Sequence, residues 1–249
     1  MTLTACMFDF SGTLFRIESS QAWLRAVLDA RGIEAAEDEV AACALRLDRA
    51  GAQPGGRSGE APVGPTPDLA PIWAIRDLTA EHHRAAHTAM SRTAELPWDV
   101  HDALYDRHMT PAAWQPYQDT AGVLRALRER GVPVAVVSNI GWDLRPVFRQ
   151  HGLDGLVDSY VLSYEVGAQK PDPRIFEIAC EALGSDPAST LMVGDDRRSD
   201  SGAAALGCPL FLVDHLPVAE RPEALRPVLD SLDERRFGEQ EAARPSGPA

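Results

Sequence analysis

The chain contains a single lysine, Lys170; apart from seven histidines, every other basic residue is arginine. Basic residues are few overall, 24 against 37 acidic ones, for a formal net charge of −13. A negative field of that size repels phosphate backbones. No local basic patch offsets it, which argues against a nucleic-acid partner. Cysteine is equally sparse. Cys6, Cys43, Cys180 and Cys208 form no CxxC pair, so neither a disulfide framework nor a zinc site is expected. Three of them sit in apolar surroundings typical of small buried hydrophobes. No run approaches the ~18 apolar residues of a membrane span. The N-terminus has no basic region ahead of an apolar stretch. A cytoplasmic protein with no membrane partner is therefore expected. No internal repeat is visible.

The 249 residues are 45% hydrophobic and 24% charged, ordinary for a globular protein and enough for a substantial core. Short apolar runs at 3–9, 132–138, 159–163, 190–194 and 209–213 are bounded by Gly, Pro, Asp or Ser and read as buried parallel strands. Between them lie helical patterns. "DTAGVLRALRERG" opens with a cap at Asp119 or Thr120 and stops at Gly131, and "DPRIFEIACEALG" stops at Gly184. The alternation implies an α/β fold, a Rossmann-like doubly wound parallel sheet with helices on both faces. Residues 17–112 carry helical periodicity and no strand pattern, and are expected to form an all-helical insertion. The expected layout is a core of 1–16 and 113–233, a helical domain of 17–112 with a Gly/Pro-rich mobile loop at 51–71, and a disordered tail at 234–249.

In an open α/β sheet, ligands bind beyond the carboxyl ends of the strands. Four predicted strand ends, or the loops after them, carry polar groups of one coherent kind. The first ends in Asp9, followed by "SGT"; the second ends in Ser138-Asn139. After the third comes "GAQKPDP" with Lys170, and the fourth ends in "VGDDRRSD" with Asp195, Asp196 and Asp200. Each alone reads equally as a turn, a helix cap or a surface charge; four in order do not. Asp9 and Asp195 are hard oxygen donors that suit Mg²⁺, which takes one or two carboxylates plus substrate phosphate. A carboxylate also serves as nucleophile, forming an aspartyl-phosphate. Lys170 supplies a point charge and Ser138 a donor for phosphoryl oxygens.

These stretches resemble the four motifs of the haloacid dehalogenase (HAD) superfamily, in the subclass whose helical cap is inserted between the first and second motifs. "DFSGT", "VVSN", "GAQKPDPRIF" and "VGDDRRSDSGAAALG" match them in order, and the core resemblance covers 1–15 and 115–213. The resemblance implies that Asp9 is the nucleophile and a Mg²⁺ ligand, with the backbone carbonyl of Ser11 also on the metal. It implies that Ser138 binds phosphate, that Asn139 adds nearby polar contacts, and that Lys170 bridges nucleophile and phosphoryl group. Asp195 would ligate the metal, with Asp196 as alternative ligand. Asp200 would support the metal shell or Lys170.

Ser11 departs from the pattern. The family's phosphatases normally place there an Asp that protonates the leaving group, and serine cannot do so near neutral pH. Losing a general acid–base typically lowers rate by ~10²–10⁴. The leading expectation is a Mg²⁺-dependent phosphatase of a small phosphorylated metabolite whose leaving group needs little protonation, such as an acyl or aryl phosphate. The alternatives are a phosphate- or metal-binding module that has lost turnover, and a 2-haloacid dehalogenase-like enzyme, against which the retained "VGDD" argues. A phosphonate-cleaving enzyme needs a cap lysine, and the chain has none. Five of the seven histidines, His82, His83, His87, His101 and His108, fall in the helical insertion. They read either as exposed helix residues or as a source of the missing acid. Trp23, Trp73, Trp98 and Trp114 read as lining a pocket or packing helices, with packing the leading expectation, and Arg16 as solvated or salt-bridged rather than meeting an anionic substrate. Neither the substrate nor the oligomeric state carries a sequence signal.

Overall fold

The computed structural model describes residues 3–56 and 64–232. The chain opens with strand β1 (Ala5–Phe8) and turns into β2 (Phe15–Ile17). Among the described residues it then runs through α1 (Ser20–Ala30), α2 (Glu37–Ala50), α3 (Ala70–Ala74), α4 (Ala80–Arg92) and α5 (His101–His108) before returning in β3 (Trp114–Pro116). Strands and helices then alternate: α6 (Thr120–Glu129), β4 (Val134–Ser138), α7 (Arg145–Gln150), β5 (Ser159–Leu162), α8 (Ser163–Val166), α9 (Pro173–Leu183), β6 (Thr190–Gly194), α10 (Arg197–Asp200) and β7 (Leu210–Leu212). Residues 226–232 are again helical.

Five strands form one parallel sheet in the order β5-β4-β1-β6-β7. The central three are buried along their whole length. Alternate side chains feed two cores, which is why these strands read as continuous apolar runs rather than alternating ones. Cys6, Phe8, Val134, Val136, Leu191 and Val193 face one core, closed by Val123, Leu127, Phe148 and Val228. Met7, Ala135, Val137 and Met192 face the other, closed by Ile175, Phe176 and Ala179 of α9. The chain leaves β1 for β4 and β5 on one side, then returns to β6 on the other, so strand order reverses around β1. The carboxyl edge there is the expected ligand crevice.

α9 begins on Asp172, whose side chain accepts from Arg174 N–H, and ends at Gly184 in the left-handed region. α6 starts at Thr120 without a side-chain cap. The Asp119 carboxylate instead accepts from Leu225 N–H at 2.6 Å, tying the helix start to the segment before the last helix.

The described residues between β2 and β3 contain helices and no strand. They hold a core of their own, in which Trp23, Leu24, Leu28, Val40, Leu47 and Leu104 meet. One feature was not predicted: β2 and β3 pair antiparallel, Phe15 with Pro116 and Ile17 with Trp114, as a two-stranded stem where the chain leaves and re-enters the sheet domain. Three-residue strands are too short to show periodicity, and their partners lie about a hundred positions apart in sequence. Of the loop predicted to be mobile at 51–71, residues 57–63 lie outside the described residues, as does the predicted tail at 234–249. The flanks are structured: Gln53 donates to Glu18 O, Gly55 O accepts from Ser11, and α3 begins at Ala70. All four cysteines are buried and unpaired. No helix among the described residues is long and apolar enough to cross a membrane.

Candidate active site

β1 carries Asp9 to the carboxyl edge, where its N–H donates to Val193 O of β6 at 2.9 Å. The chain must then turn sharply. Gly12 makes this possible with φ +81°, a region that favours glycine, and a Cβ there would collide with His215 and Asp195. Arg221 holds the turn from behind: its guanidinium donates to the carbonyls of Gly12 and Thr13 and lies 3.2 Å from the centre of the Tyr117 ring.

Lys170 enters from the loop before α9. Its Nζ donates to Asp9 Oδ1 at 2.7 Å and to Asp200 Oδ1 at 2.6 Å, all three side chains being buried. Asp200 reaches the lysine by packing across Gly194, where any Cβ would overlap its carboxylate. Its other oxygen accepts from Asp196 N–H at 3.1 Å. The Asn139 side chain is spent on the lysine's own backbone, donating to Lys170 O at 2.9 Å and accepting from Lys170 N–H at 2.7 Å. Ser138, the last residue of β4, is buried beside it.

The charges do not balance. One ammonium faces the three carboxylates of Asp9, Asp195 and Asp200. Burial pushes Asp9 well above the usual carboxylate range, with Lys170 opposing and the neighbouring acids adding to the rise. Asp195 is pushed up to about 6, by burial first and then by Asp200. Burial alone would lower Lys170, but Asp200 and Asp9 outweigh it and the lysine stays protonated. Asp195 Oδ2 is held by His215 Nδ1 at 2.5 Å. Asp196 behaves differently: it is exposed, and its carboxylate caps α10 by accepting from Arg198 N–H and Ser199 Oγ. Of the doubled acids, Asp195 is the one turned toward Asp9.

The Ser11 hydroxyl points to the helical insertion rather than to Asp9, donating to Gly55 O at 3.0 Å. Gly55 has φ +68°, and a Cβ on it would strike Ser11 and Trp114. Gln53 fixes the same loop by donating to Glu18 O at 3.0 Å. Between the insertion and the sheet edge lies a cavity of about 660 Å³. Asp9, Ser11, Ser138, Asn139, Lys170, Asp195 and Asp196 line it from the sheet side; Gly55, Trp73, Arg76, Asp77, His83 and His87 line it from the other. Arg16 lines a neighbouring cavity with Glu18 and Asp214.

The reading of the histidines as exposed helix residues does not hold. His83, His87, His101 and His108 are buried, and only His82 is half-buried. Burial, helped by the neighbouring rings, holds His83 and His87 well below the ordinary imidazole range; burial, against the opposing bond to the Tyr105 carbonyl, takes His108 down to about 3. They are therefore neutral near pH 7. Of the tryptophans, Trp23 and Trp114 are fully buried, Trp98 packs against the insertion's core, and Trp73 and Trp114 also reach the cavity. His215 and Arg221 were not predicted. His215 follows β7 in "VDH", a fifth strand end bearing polar residues, and that position was the available signal. Arg221 had none, being bound to motif-one carbonyls more than two hundred residues away.

A family model for haloacid dehalogenase-like hydrolases matches residues 3–207. Over 153 residues, 61% of this chain, the sequence is 35% identical to haloacid dehalogenase-like hydrolase domain-containing protein 3 of Bos taurus. The chain spans 48% to 59% of the length of that protein's bovine, mouse and human forms. It is 30% identical to (S)-2-haloacid dehalogenase 4A of Burkholderia cepacia over 83% of this chain and 80% of that protein. Other relatives include proteins named phosphatases. Among solved structures, the L-2-haloacid dehalogenase RSc1362 shares the fold with a TM-score of 0.64 at 24% identity, over 94% of this chain and all of that one. The matched model takes in all four strand-end motifs, and the chain belongs to the haloacid dehalogenase-like hydrolase family.

Proposed function

We propose that this hydrolase is a Mg²⁺-dependent phosphatase of a small phosphorylated metabolite, working through an aspartyl-phosphate at Asp9. The observation that carries the reading is the excess of buried carboxylates around one lysine at the sheet edge. Asp9 and Asp195 lie close enough for their carboxyls to interact directly. Two such groups out of water need a proton or a cation between them. Their hard oxygens fit Mg²⁺, held by Asp9, Asp195 and the backbone of Ser11. When bound, Mg²⁺ would neutralise charge on the phosphoryl oxygens.

This chain's own residues supply the rest. Lys170 opposes the rise that burial imposes on Asp9 and holds it in place for attack on phosphorus, and its charge faces the transferring oxygens. Ser138 offers a hydroxyl to the same group. The new bond joins an Asp9 oxygen to phosphorus; the bond that breaks sends its electron pair to the leaving oxygen. No acid stands at position 11, so the leaving group departs as an anion, which an acyl or aryl phosphate tolerates. Water then cleaves the aspartyl-phosphate, giving inorganic phosphate and restoring the carboxylate. The helical insertion serves as the cap over the cavity, and its residues select the substrate.

Phosphate release from acetyl phosphate and p-nitrophenyl phosphate, with and without Mg²⁺, tests this. Wild type is expected to turn over with Mg²⁺, and Asp9→Asn to be inactive. Kinship with (S)-2-haloacid dehalogenase 4A supports a second reading, dehalogenation, so halide release from a 2-chloro acid belongs in the same assay. Metal-independent halide release without phosphate release would replace the first reading by the second.

A further inference from the structure

We propose that Asp77, His83 and His87 form a second cation site, for a transition-metal dication such as Zn²⁺, on the wall of the cavity opposite Asp9. One ligand atom from each lies within 4.8 Å of the other two, and all three residues are buried. His83 and His87 are one helical turn apart on α4 and so share a face, while Asp77 comes from the turn just before it. His83 Nε2 lies 3.7 Å from Asp77 Oδ1, near the roughly 3.4 Å between ligands that a tetrahedral zinc at ~2.1 Å implies.

The surroundings fit a metal as well as the ligands do. His83 Nδ1 is 2.7 Å from the Tyr105 hydroxyl. That bond fits a proton on Nδ1 and leaves the Nε2 lone pair toward Asp77, the outer-shell arrangement common to metal-bound histidines. His87 Nδ1 is buried with no hydrogen-bond partner, a cost that a metal bond would remove. Arg76 pairs with Asp77 Oδ2 at 3.2 Å and leaves Oδ1 to the site. Two imidazoles and a carboxylate are a donor set for zinc or its neighbours, not for Mg²⁺. Three protein ligands leave a fourth position, and these three line the same cavity as Asp9 and Lys170. An oxygen of a molecule seated there would complete the sphere.

The test is calorimetric titration of the metal-stripped full chain with Zn²⁺ in excess Mg²⁺, alongside the visible absorption of a Co²⁺ complex. One Zn²⁺ per chain is expected, retained in Asp9→Asn and Asp195→Asn and lost in His87→Gln. Tyr105→Phe, which removes only the outer-shell hydroxyl, is expected to weaken binding by about 10–100-fold. Intense four-coordinate Co²⁺ bands in wild type provide a readout that stands even where His87→Gln does not fold. No uptake, uptake untouched by His87→Gln and Tyr105→Phe, or uptake abolished by Asp9→Asn would overturn the proposal.

Discussion

Asn139 and Lys170 exchange two hydrogen bonds, side chain to backbone, at 2.9 and 2.7 Å. The end of β4 thus grips the loop that presents Lys170 to Asp9. If these bonds are the role of Asn139, it acts by positioning the lysine. Asn139→Ala removes both bonds, each worth about 1 kcal/mol. Activity on p-nitrophenyl phosphate is expected to fall mainly in kcat with KM little changed. A readout in which KM rises and kcat holds would return Asn139 to substrate binding.

Lys170→Met leaves Asp9 and Asp200 buried without their counter-charge. Breaking such a pair from one side costs about 3–5 kcal/mol, a fall in Tm of roughly 10 °C for a chain of this size. Mg²⁺ is expected to recover part of that loss while activity stays absent. Thermal melts with and without Mg²⁺ check both halves.

Ser11 bonds the insertion's loop rather than standing ready as an acid. Ser11→Ala is expected to cost about 1 kcal/mol and to speed amide exchange across residues 51–56. Ser11→Asp restores the family's residue but sets a carboxylate against the Gly55 carbonyl, oxygen to oxygen. Exchange over 51–56 is expected to rise further there than in Ser11→Ala. Equal or slower exchange in Ser11→Asp would show that the loop does not depend on this contact.

In the proposed Mg²⁺ site, Asp195, with its carboxyl pushed up to about 6 by burial and by Asp200, is expected to tie metal affinity to pH. The protonated form offers the cation no charge, so the contribution of this group is present above about 6 and is lost as pH drops, and Asp9, raised as well, acts in the same direction. The slope is about tenfold per unit while one proton is displaced per Mg²⁺. Mg²⁺ titrations between pH 5 and 8 check the sign and the midpoint; in Asp195→Asn the dependence due to this group should vanish.

The sheet was legible because its strands are buried on both faces, which turns "ACMF", "VAVVS" and "TLMVG" into unbroken apolar runs. Gly184 marked the end of α9 because only the left-handed conformation closes that helix. The strand-end groups were readable for the same topological reason: each ends a strand or lies in the segment just beyond one. The β2–β3 stem was not legible, since nothing local in Phe15–Ile17 points to Trp114–Pro116. His83 and His87 were misread as exposed, although their spacing of four already placed them on one face. What hides them is packing against Tyr105 and Trp73, a tertiary fact. The partners of Asp196 and Asn139, the start of α10 and the backbone of Lys170, are tertiary or local contacts that composition does not reveal.

The proposed covalent step at Asp9 is tested most directly by trapping it. Wild type mixed with isotopically labelled acetyl phosphate and Mg²⁺, quenched within one turnover and mapped by peptide mass spectrometry, is expected to carry phosphate on Asp9. The label should be absent in Asp9→Asn and absent without Mg²⁺. Phosphate on another residue, or turnover in Asp9→Asn at the wild-type rate, would contradict the aspartyl-phosphate route.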